Sequence, residues 1–593
     1  MTTFAHRLSG PSRHFAFGGL LLASALSSHG QSMNATQGQD FQQIAPKQPP
    51  KSAPGKIVNE APPKTFLGKG GEVLVAKLNG IVLLSDPKQV QAKGIANGKG
   101  VDASKVPLAN RPSFKDAVNS YLGKPVTMTS LAELTRSMVS YFREHDRPVV
   151  NVYVPEQSIT SGVVQIVVVE SRVGTVGATG AKWFSNTDLR EEVRVKPGDP
   201  ISANEMREDL DWINRNPFLQ SDMLLSPGNA PGTTDLVLRT KDRFPLRVYG
   251  GFDNTGNQYT GENRYMAGFN YGNLFGLGQQ LSYQFSASPD FNQFYAHSGT
   301  YIVPLPWRHE LTIFGSYSEA NANVNGIQSG GVNWQISGRY EIPLPGTAQF
   351  KESVTAGFDF KRSNNSLAFG VLFPPLPDTN TDIDQFVLSY QGSYLDAYGK
   401  TSFSATGYLS PGGFTNYNNT SDFQTQRTGA QANYVYGQLA LNRVTRLPMD
   451  FTWTVRGLLQ GSDANLLPSE QIGLGGYDTV RGYQMREVNG DNGFLVSTEV
   501  ATPAVSLTQF LGIDKISDQL QFIAFVDYGG TTLHDVTVND PNPSSNLLSV
   551  GPGLRYVVSP YISVRFDYGF QLINSGLGNG EHSRADFGVL VSY

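Results

Sequence analysis

From residue 244 to the end of the chain, apolar and polar residues alternate with period two, segment after segment. Such a period fits only β-strands, whose successive side chains point to opposite faces. In "YISVRFDYGFQL", Ile562, Val564, Phe566, Tyr568, Phe570 and Leu572 share one face, while Ser563, Arg565, Asp567, Gly569 and Gln571 share the other. The last strand sets Ala585, Phe587, Val589, Val591 and Tyr593 against Asp586, Gly588 and Ser592. "QLSYQFS" and "FTWTVR" repeat the theme. Alternation alone does not choose between a soluble sandwich with its polar face outward and a membrane barrel with a wet interior. An aromatic apolar face, the length of the run and an export signal favour the barrel. At roughly 20 to 24 residues per strand plus turn, the segment holds about 16 antiparallel strands. "VPLPWRHEL" and "IPLPGTAQF" begin at residues 303 and 342, the spacing expected of successive short turns on one side of a membrane.

Composition agrees with this architecture. The chain has 63 glycines, 34 phenylalanines and 26 tyrosines but only 16% charged residues, as suits strands that show lipid on alternate positions. The absence of cysteine excludes disulfides and thiolate metal sites. With 46 basic against 50 acidic residues, no global charge points to nucleic acid. Residues 1–30 have the pattern of a signal peptide: Arg7 and Arg13, then the short apolar run "FAFGGLLLASALSS", then small residues. No later stretch reaches the length of apolar sequence that a membrane-spanning helix needs.

Between signal and barrel lie three segments. Residues 31–70 are rich in Gln, Pro and Lys and read as an extended periplasmic linker, with too little apolar surface to offset the cost of ordering. Residues 71–172 contain the β-prone "EVLVAKLNGIVLL", a polar glycine-containing loop, the helix "MTSLAELTRSMVSYFREH" and two strands, "VVNVYVPEQ" and "GVVQIVVVES". Ser130 with Glu133 fits a capping box for that helix, and Leu131, Leu134, Met138, Tyr141 and Phe142 lie on one face. Residues 173–243 repeat the plan on a smaller scale, with Ser202 and Glu205 at the start of the second helix. Two consecutive β-α-α-β-β units predict two small α+β domains.

No catalytic constellation stands out. The eight histidines do not cluster, and there is no His-Glu-x-x-His or phosphate-binding glycine loop. Neither enzyme activity nor a cofactor or metal is expected. The stretch "LGGYDTVRGY", residues 474–483, has a different character. It lies in a long loop between two barrel strands, yet it holds three glycines, two tyrosines and one arginine. Glycines let a backbone pack closely, which fits a loop that turns into the barrel. Arg481 would then need an anion, since an uncompensated buried guanidinium costs on the order of 3 to 5 kcal/mol. Asp527 in "QLQFIAFVDYGG" and Glu499 in "FLVSTEV" have lumen parity. An exposed arginine on a solvated loop is the competing reading.

At these residues the chain resembles a known group. "VRGY" followed by "FVDYGG" resembles the paired signature of polypeptide-transporting outer-membrane barrels. "SYFREHDRPVVNVYVPEQSITSGVVQIVVVES", "LDWINRNPF", "YGGFDNTG" and "FNYGNLFGLGQQLSYQFSASPD" are similar to segments of the two-partner secretion transporters, the hemolysin-activator (TpsB-type) family. The resemblance covers residues 71–593. It implies a transmembrane antiparallel β-barrel preceded by two polypeptide-transport-associated (POTRA) domains, set in a bacterial outer membrane with those domains in the periplasm. It also implies a sixth loop folded into the lumen. By it, Val480, Arg481, Gly482 and Tyr483 form an inward latch, Asp527 matches the acidic partner, and Glu499 matches less closely. The implied partners are outer-membrane lipid and an unfolded exoprotein, an adhesin- or cytolysin-like β-helical chain; a monomer is expected. Family members often begin with a helix that plugs the pore. Here that region is mostly Pro- and Gln-rich and offers only "DFQQIA" as a short turn, a departure from the family pattern that leaves the presence of a plug open. An insertase of other barrels carries the same loop signature but usually more POTRA units. A passive porin would leave residues 71–243 without a role.

Overall fold

Period-two alternation becomes a closed sheet. The computed structural model describes residues 37, 39–59, 72–324, 327–364, 380–513, 516–538, 540, 542–577 and 580–593. The expected signal peptide, residues 1–30, lies outside them. Sixteen strands form one closed barrel, each antiparallel to its neighbours, from Leu246–Asp253 to Ser583–Ser592. These two terminal strands pair with each other between Tyr249↔Ser592 and Asp253↔Gly588. Closure leaves no free edge, and a backbone crossing lipid requires that, because unpaired N–H and C=O groups have no water to meet.

The parity read from the sequence matches the side chains. On Ile562–Gln571, Arg565, Asp567 and Gly569 are turned inward, while Phe566 and Phe570 are exposed on the outside. The strands Phe294–Pro304 and Glu310–Val324, and likewise Ile327–Leu344 and Phe350–Ser363, are joined by the short proline-containing turns at 305–309 and 345–349. No helix among the described residues is long and apolar enough to cross a membrane.

Residues 52–244 form a separate compact unit. One four-stranded sheet has the order Gly100–Asp102, Gly80–Leu84, Val163–Glu170, Val150–Tyr153. The helices Pro112–Asn119 and Met128–Glu144 cover it, burying Phe114, Leu134, Met138 and Phe142 against Ile81, Val164 and Ile166. The other sheet has the order Ile57–Asn59, Leu219–Pro227, Thr233–Asp242, Arg172–Thr179, packed against Asn186–Glu191 and Ala203–Ile213. Its core contains Met206, Leu210, Met223, Leu236 and Leu238.

Three sequence expectations need correction. The linker expected over 31–70 is not simply extended: Gln39–Ile44 form a helix, α1, that groups with the barrel, and Ile57–Asn59 add a parallel strand to Leu219–Pro227. Low apolar content predicts disorder only for a segment left alone, and α1 is ordered by a lumen that supplies what its own sequence lacks. The run "EVLVAKLNGIVLL" splits into Val73–Val75 and Gly80–Leu84, which belong to different sheets. The long helix starts at Met128, so its N-cap is Thr127 and Ser130 is the reciprocal member of the box. The Thr127 hydroxyl accepts from Ser130 N at 3.0 Å and the Ser130 hydroxyl accepts from Thr127 N at 2.8 Å, leaving Glu133 outside it.

Ser202 caps its helix as expected, accepting from Glu205 N at 3.1 Å, and it also donates to Asp146 Oδ2 at 2.6 Å. Asp146 itself accepts from Asn204 N at 2.7 Å through its other oxygen. Ser202→Ala removes the cap and one ligand of Asp146, so it is expected to destabilise this unit by about 1 to 2 kcal/mol. A lowered urea midpoint at unchanged slope would register the loss.

Candidate functional site

The loop after the barrel strand Thr452–Ser462 turns inward before the next strand, Asn492–Ala501. Its two arms pair as a small hairpin, Ile472–Leu474 with Val488–Gly490. Val480 and Tyr483 are fully buried with Ile472, Leu474 and Val488 against the inward-facing Leu458, Leu495 and Leu547 of the barrel wall. The loop therefore carries its own apolar core into a polar lumen. Full burial of a side chain such as Val480 stabilises this packing by about 1.5 to 3 kcal/mol.

Arg481 and Asp527 are each 0% exposed. Arg481 Nε donates to Asp527 Oδ2 at 2.7 Å and Nη2 donates to Asp527 Oδ1 at 2.9 Å, the bidentate fork that a guanidinium makes with a carboxylate. The Arg481 backbone N–H adds a third bond to Asp527 Oδ2 at 3.1 Å. The remaining Nη1 reaches Glu499 Oε2 at 2.8 Å and Asp567 Oδ1 at 3.4 Å. Ser497, directly across the ladder from Asp527, donates its hydroxyl to Asp527 Oδ1 at 2.6 Å. Below the guanidinium lies the Phe525 ring, with its centroid 3.6 Å from Cζ. The solvated-loop reading of Arg481 is thereby excluded.

Two features of this centre were not singled out from the sequence. Asp567 is a third carboxylate, accepting from Arg555 Nη2 at 3.0 Å and Arg565 Nε at 2.8 Å as well as facing Arg481. Its signal was present, as a charged pair on the wet face of a strand that is otherwise lipid-facing, but nothing in one strand shows which loop it meets. The second is Gly569. Gly482 has a φ of +89°, and a Cβ added there would lie 2.8 Å from the Gly569 backbone; one added at Gly569 would lie 2.5 Å from Gly482 N. Two glycines, 87 positions apart in number, let the loop backbone touch the strand backbone. Gln571 Nε2 then donates to Gly482 O at 2.7 Å. The Tyr483 hydroxyl is placed against the carbonyls of Leu548 and Ile573, at 2.9 and 2.5 Å.

The lumen also holds α1, the short segment that the sequence left open as a plug. Phe41 is buried, with its ring centroid 4.6 Å from that of Phe314. Gln39 Oε1 accepts from Gly473 N at 3.0 Å and Arg486 Nη1 at 3.2 Å, both on the inward loop. At the other end, Ile44 O accepts from Ser298 Oγ at 2.6 Å and Gln284 Nε2 at 3.1 Å. Lys47 N donates to the Tyr249 hydroxyl at 2.9 Å, and Lys47 O accepts from Arg247 at 3.0 Å. Six helical residues and the segment after them thus run along the inner wall.

A family model described as haemolysin secretion/activation protein ShlB/FhaC/HecB matches residues 232–556, more than half of the chain. The chain belongs to the haemolysin secretion/activation family. A second model, the ShlB-type POTRA domain, matches residues 99–171. The heme/hemopexin transporter protein HuxB of Haemophilus influenzae strain 86-028NP is 25% identical over 451 residues, covering 74% of this chain and 77% of its own. The outer membrane transporter CdiB of Escherichia coli is 22% identical over 500 residues, covering 80% and 79%. Among solved structures, CdiB from Escherichia coli superposes with a TM-score of 0.68 at 17% identity, over 97% of this chain and 98% of that one. CdiB from Acinetobacter baumannii gives 0.61, also at 17% identity, over 97% and 99%. As a haemolysin secretion/activation transporter, the protein is an outer-membrane β-barrel with periplasmic POTRA domains that exports a partner exoprotein.

Proposed function

We propose that this transporter captures its unfolded exoprotein by strand addition in the periplasm and threads it through a barrel held shut by the Arg481 latch and α1. The observation that carries this reading is the lumen filling. Both occupants are held by hydrogen bonds, ion pairs and a few apolar contacts, and neither is part of the barrel ladder. Two POTRA domains, over 71–172 and 173–243, offer sheets whose edge strands can accept an extended chain. Backbone hydrogen bonding of that kind gives affinity without demanding one side-chain sequence. Val480, Gly482 and Tyr483 seat the loop, and Arg481 with Asp527 and Glu499 fixes its tip. A charge-assisted hydrogen bond contributes roughly 1.5 to 3 kcal/mol, enough to order a loop yet small enough to exchange.

The cargo is a large exoprotein of adhesin or cytolysin type, rich in parallel β-structure. Folding outside the cell releases about 5 to 15 kcal/mol per domain, which makes exit one-way without a nucleotide. The transporter acts as a monomer surrounded by outer-membrane lipid, exported by the signal at 1–30. The test compares the proteomes of culture supernatant and outer membrane with and without the protein. Loss of one or a few large exoproteins from the supernatant, with the membrane unchanged, is expected and names the cargo. Depletion of many barrels from the membrane would overturn the reading in favour of an insertase.

A further inference from the structure

The contacts of Arg481 hold one side of the inward loop, but the loop is also gripped elsewhere. On its descending arm Glu470 is buried, and its carboxylate accepts from Lys361 Nζ at 2.7 Å, Gln385 Nε2 at 3.0 Å and the Tyr436 hydroxyl at 2.9 Å. These donors stand on the barrel strands Phe350–Ser363, Thr381–Leu395 and Tyr434–Arg446, the seventh, eighth and tenth in order. The carboxylates around Arg481 stand on the twelfth, thirteenth and fifteenth. The loop is therefore fastened to two separate arcs of the wall.

The two fastenings differ in what can reach them. Arg481 and Asp527 are sealed beneath the loop tip. Lys361 and Ser469, the neighbour of Glu470, line the same lumen cavity as Phe41, Gln43 and Ile44 of α1. Glu470 also ends a polar chain across that wall: Gln385 donates from the same amide nitrogen to Asp359 Oδ2 at 3.0 Å, and Arg339 reaches Asp359 Oδ1 at 2.7 Å. A chain that entered beside or in place of α1 would meet Lys361 before it met Arg481.

We propose that Lys361 and Glu470 are positioning residues for transport, forming a second, pore-facing anchor of the inward loop that must release along with the Arg481 latch before the pore opens. The inference rests on the reading of this loop as a gate. Its chemistry is that of an exchangeable ion pair: the entering polypeptide offers backbone carbonyls and acidic side chains to Lys361, and backbone N–H groups and cations to Glu470.

The test is ion conductance of the purified full-length protein in planar bilayers, with heat-modifiable migration confirming a folded barrel. Glu470→Gln keeps an acceptor for Gln385 and Tyr436 but removes the charge facing Lys361. It is expected to raise open probability about tenfold, the ratio equivalent to losing one charge-assisted hydrogen bond. Lys361→Gln, made from the barrel side, gives the same result if the pair is the active element. The reciprocal exchange Lys361→Glu with Glu470→Lys is expected to return the pore toward its closed state. The Tyr436 hydroxyl can donate or accept, so it serves the reversed pair as it serves the original one. A merely structural role would not be rescued by that exchange. Wild-type open probability in both single variants, or no rescue in the exchange, overturns the second anchor. Arg481→Ala, run alongside, separates the failures: if it opens the pore while both single variants stay closed, the gate reading stands and the anchor falls; if it too stays closed, the gate reading itself fails.

Discussion

Arg481→Ala is expected to leave a folded, heat-modifiable barrel in the outer membrane while lowering secretion roughly tenfold or more. The barrel should survive because its sixteen-strand ladder closes without the loop. The loop should not stay in place. Asp567 keeps Arg555 and Arg565, and Glu499 keeps Arg555 at 4.0 Å, but Asp527 loses its fork and retains only the Ser497 hydroxyl and one backbone N–H. Removing one partner of a buried pair costs about 3 to 5 kcal/mol, a shift of more than a hundredfold in the population of the seated loop. Arg481→Lys should recover little, because a point ammonium cannot reproduce a planar fork that also stacks on Phe525. Asp527→Asn should resemble Arg481→Ala, and the double variant should be scarcely worse than either, since both act on one interaction. Normal secretion by a correctly inserted Arg481→Ala protein would end the latch interpretation.

The second large effect concerns α1. Deleting residues 39–44 is expected to raise resting conductance several-fold and to sensitise cells to bulky antibiotics, with secretion retained. Burial of Phe41 contributes about 1.5 to 3 kcal/mol. The hydrogen bonds at Gln39 and Ile44 add roughly 0.5 to 1.5 kcal/mol each, because water would replace them in an open lumen. The total holds a six-residue helix at rest and still lets it leave. Phe41→Asp, placing a charge beside Phe314, should give a weaker version of the same phenotype. Unchanged conductance in the deletion would mean that the lumen is closed by the inward loop without α1.

The two occupants of the lumen show where sequence reasoning succeeds and where it stops. Arg481 and Asp527 were legible through the resemblance of "VRGY" and "FVDYGG" to a paired barrel signature; spacing and parity alone left an exposed arginine open and offered Glu499 as well as Asp527. Asp567 and Gly569 were not, although their face on Ile562–Gln571 was correctly read. Parity gives the side of a sheet to which a residue points, and only closure of the sheet gives what lies opposite. α1 was missed for a related reason. "DFQQI" has only two large apolar residues, Phe41 and Ile44, too few to suggest a helix that stands alone, and its partners Phe314, Gln284 and Gly473 are hundreds of positions away.

The sequence by itself determined the strands and their two faces, through period-two alternation over a long run, and the aromatic apolar face, the length of the run and the export pattern pointed those strands to a barrel. It determined the two small α+β units as well, through helical periodicity and local capping that neighbouring residues complete on their own. Only the tertiary structure decided which loop residues meet which wall, that a short polar helix lies in the lumen, and that Glu470 and Lys361 form an ion pair. Those arrangements depend on the curvature and register of a closed sixteen-strand sheet, which brings side chains from distant strands to within bonding distance; no local pattern encodes that convergence.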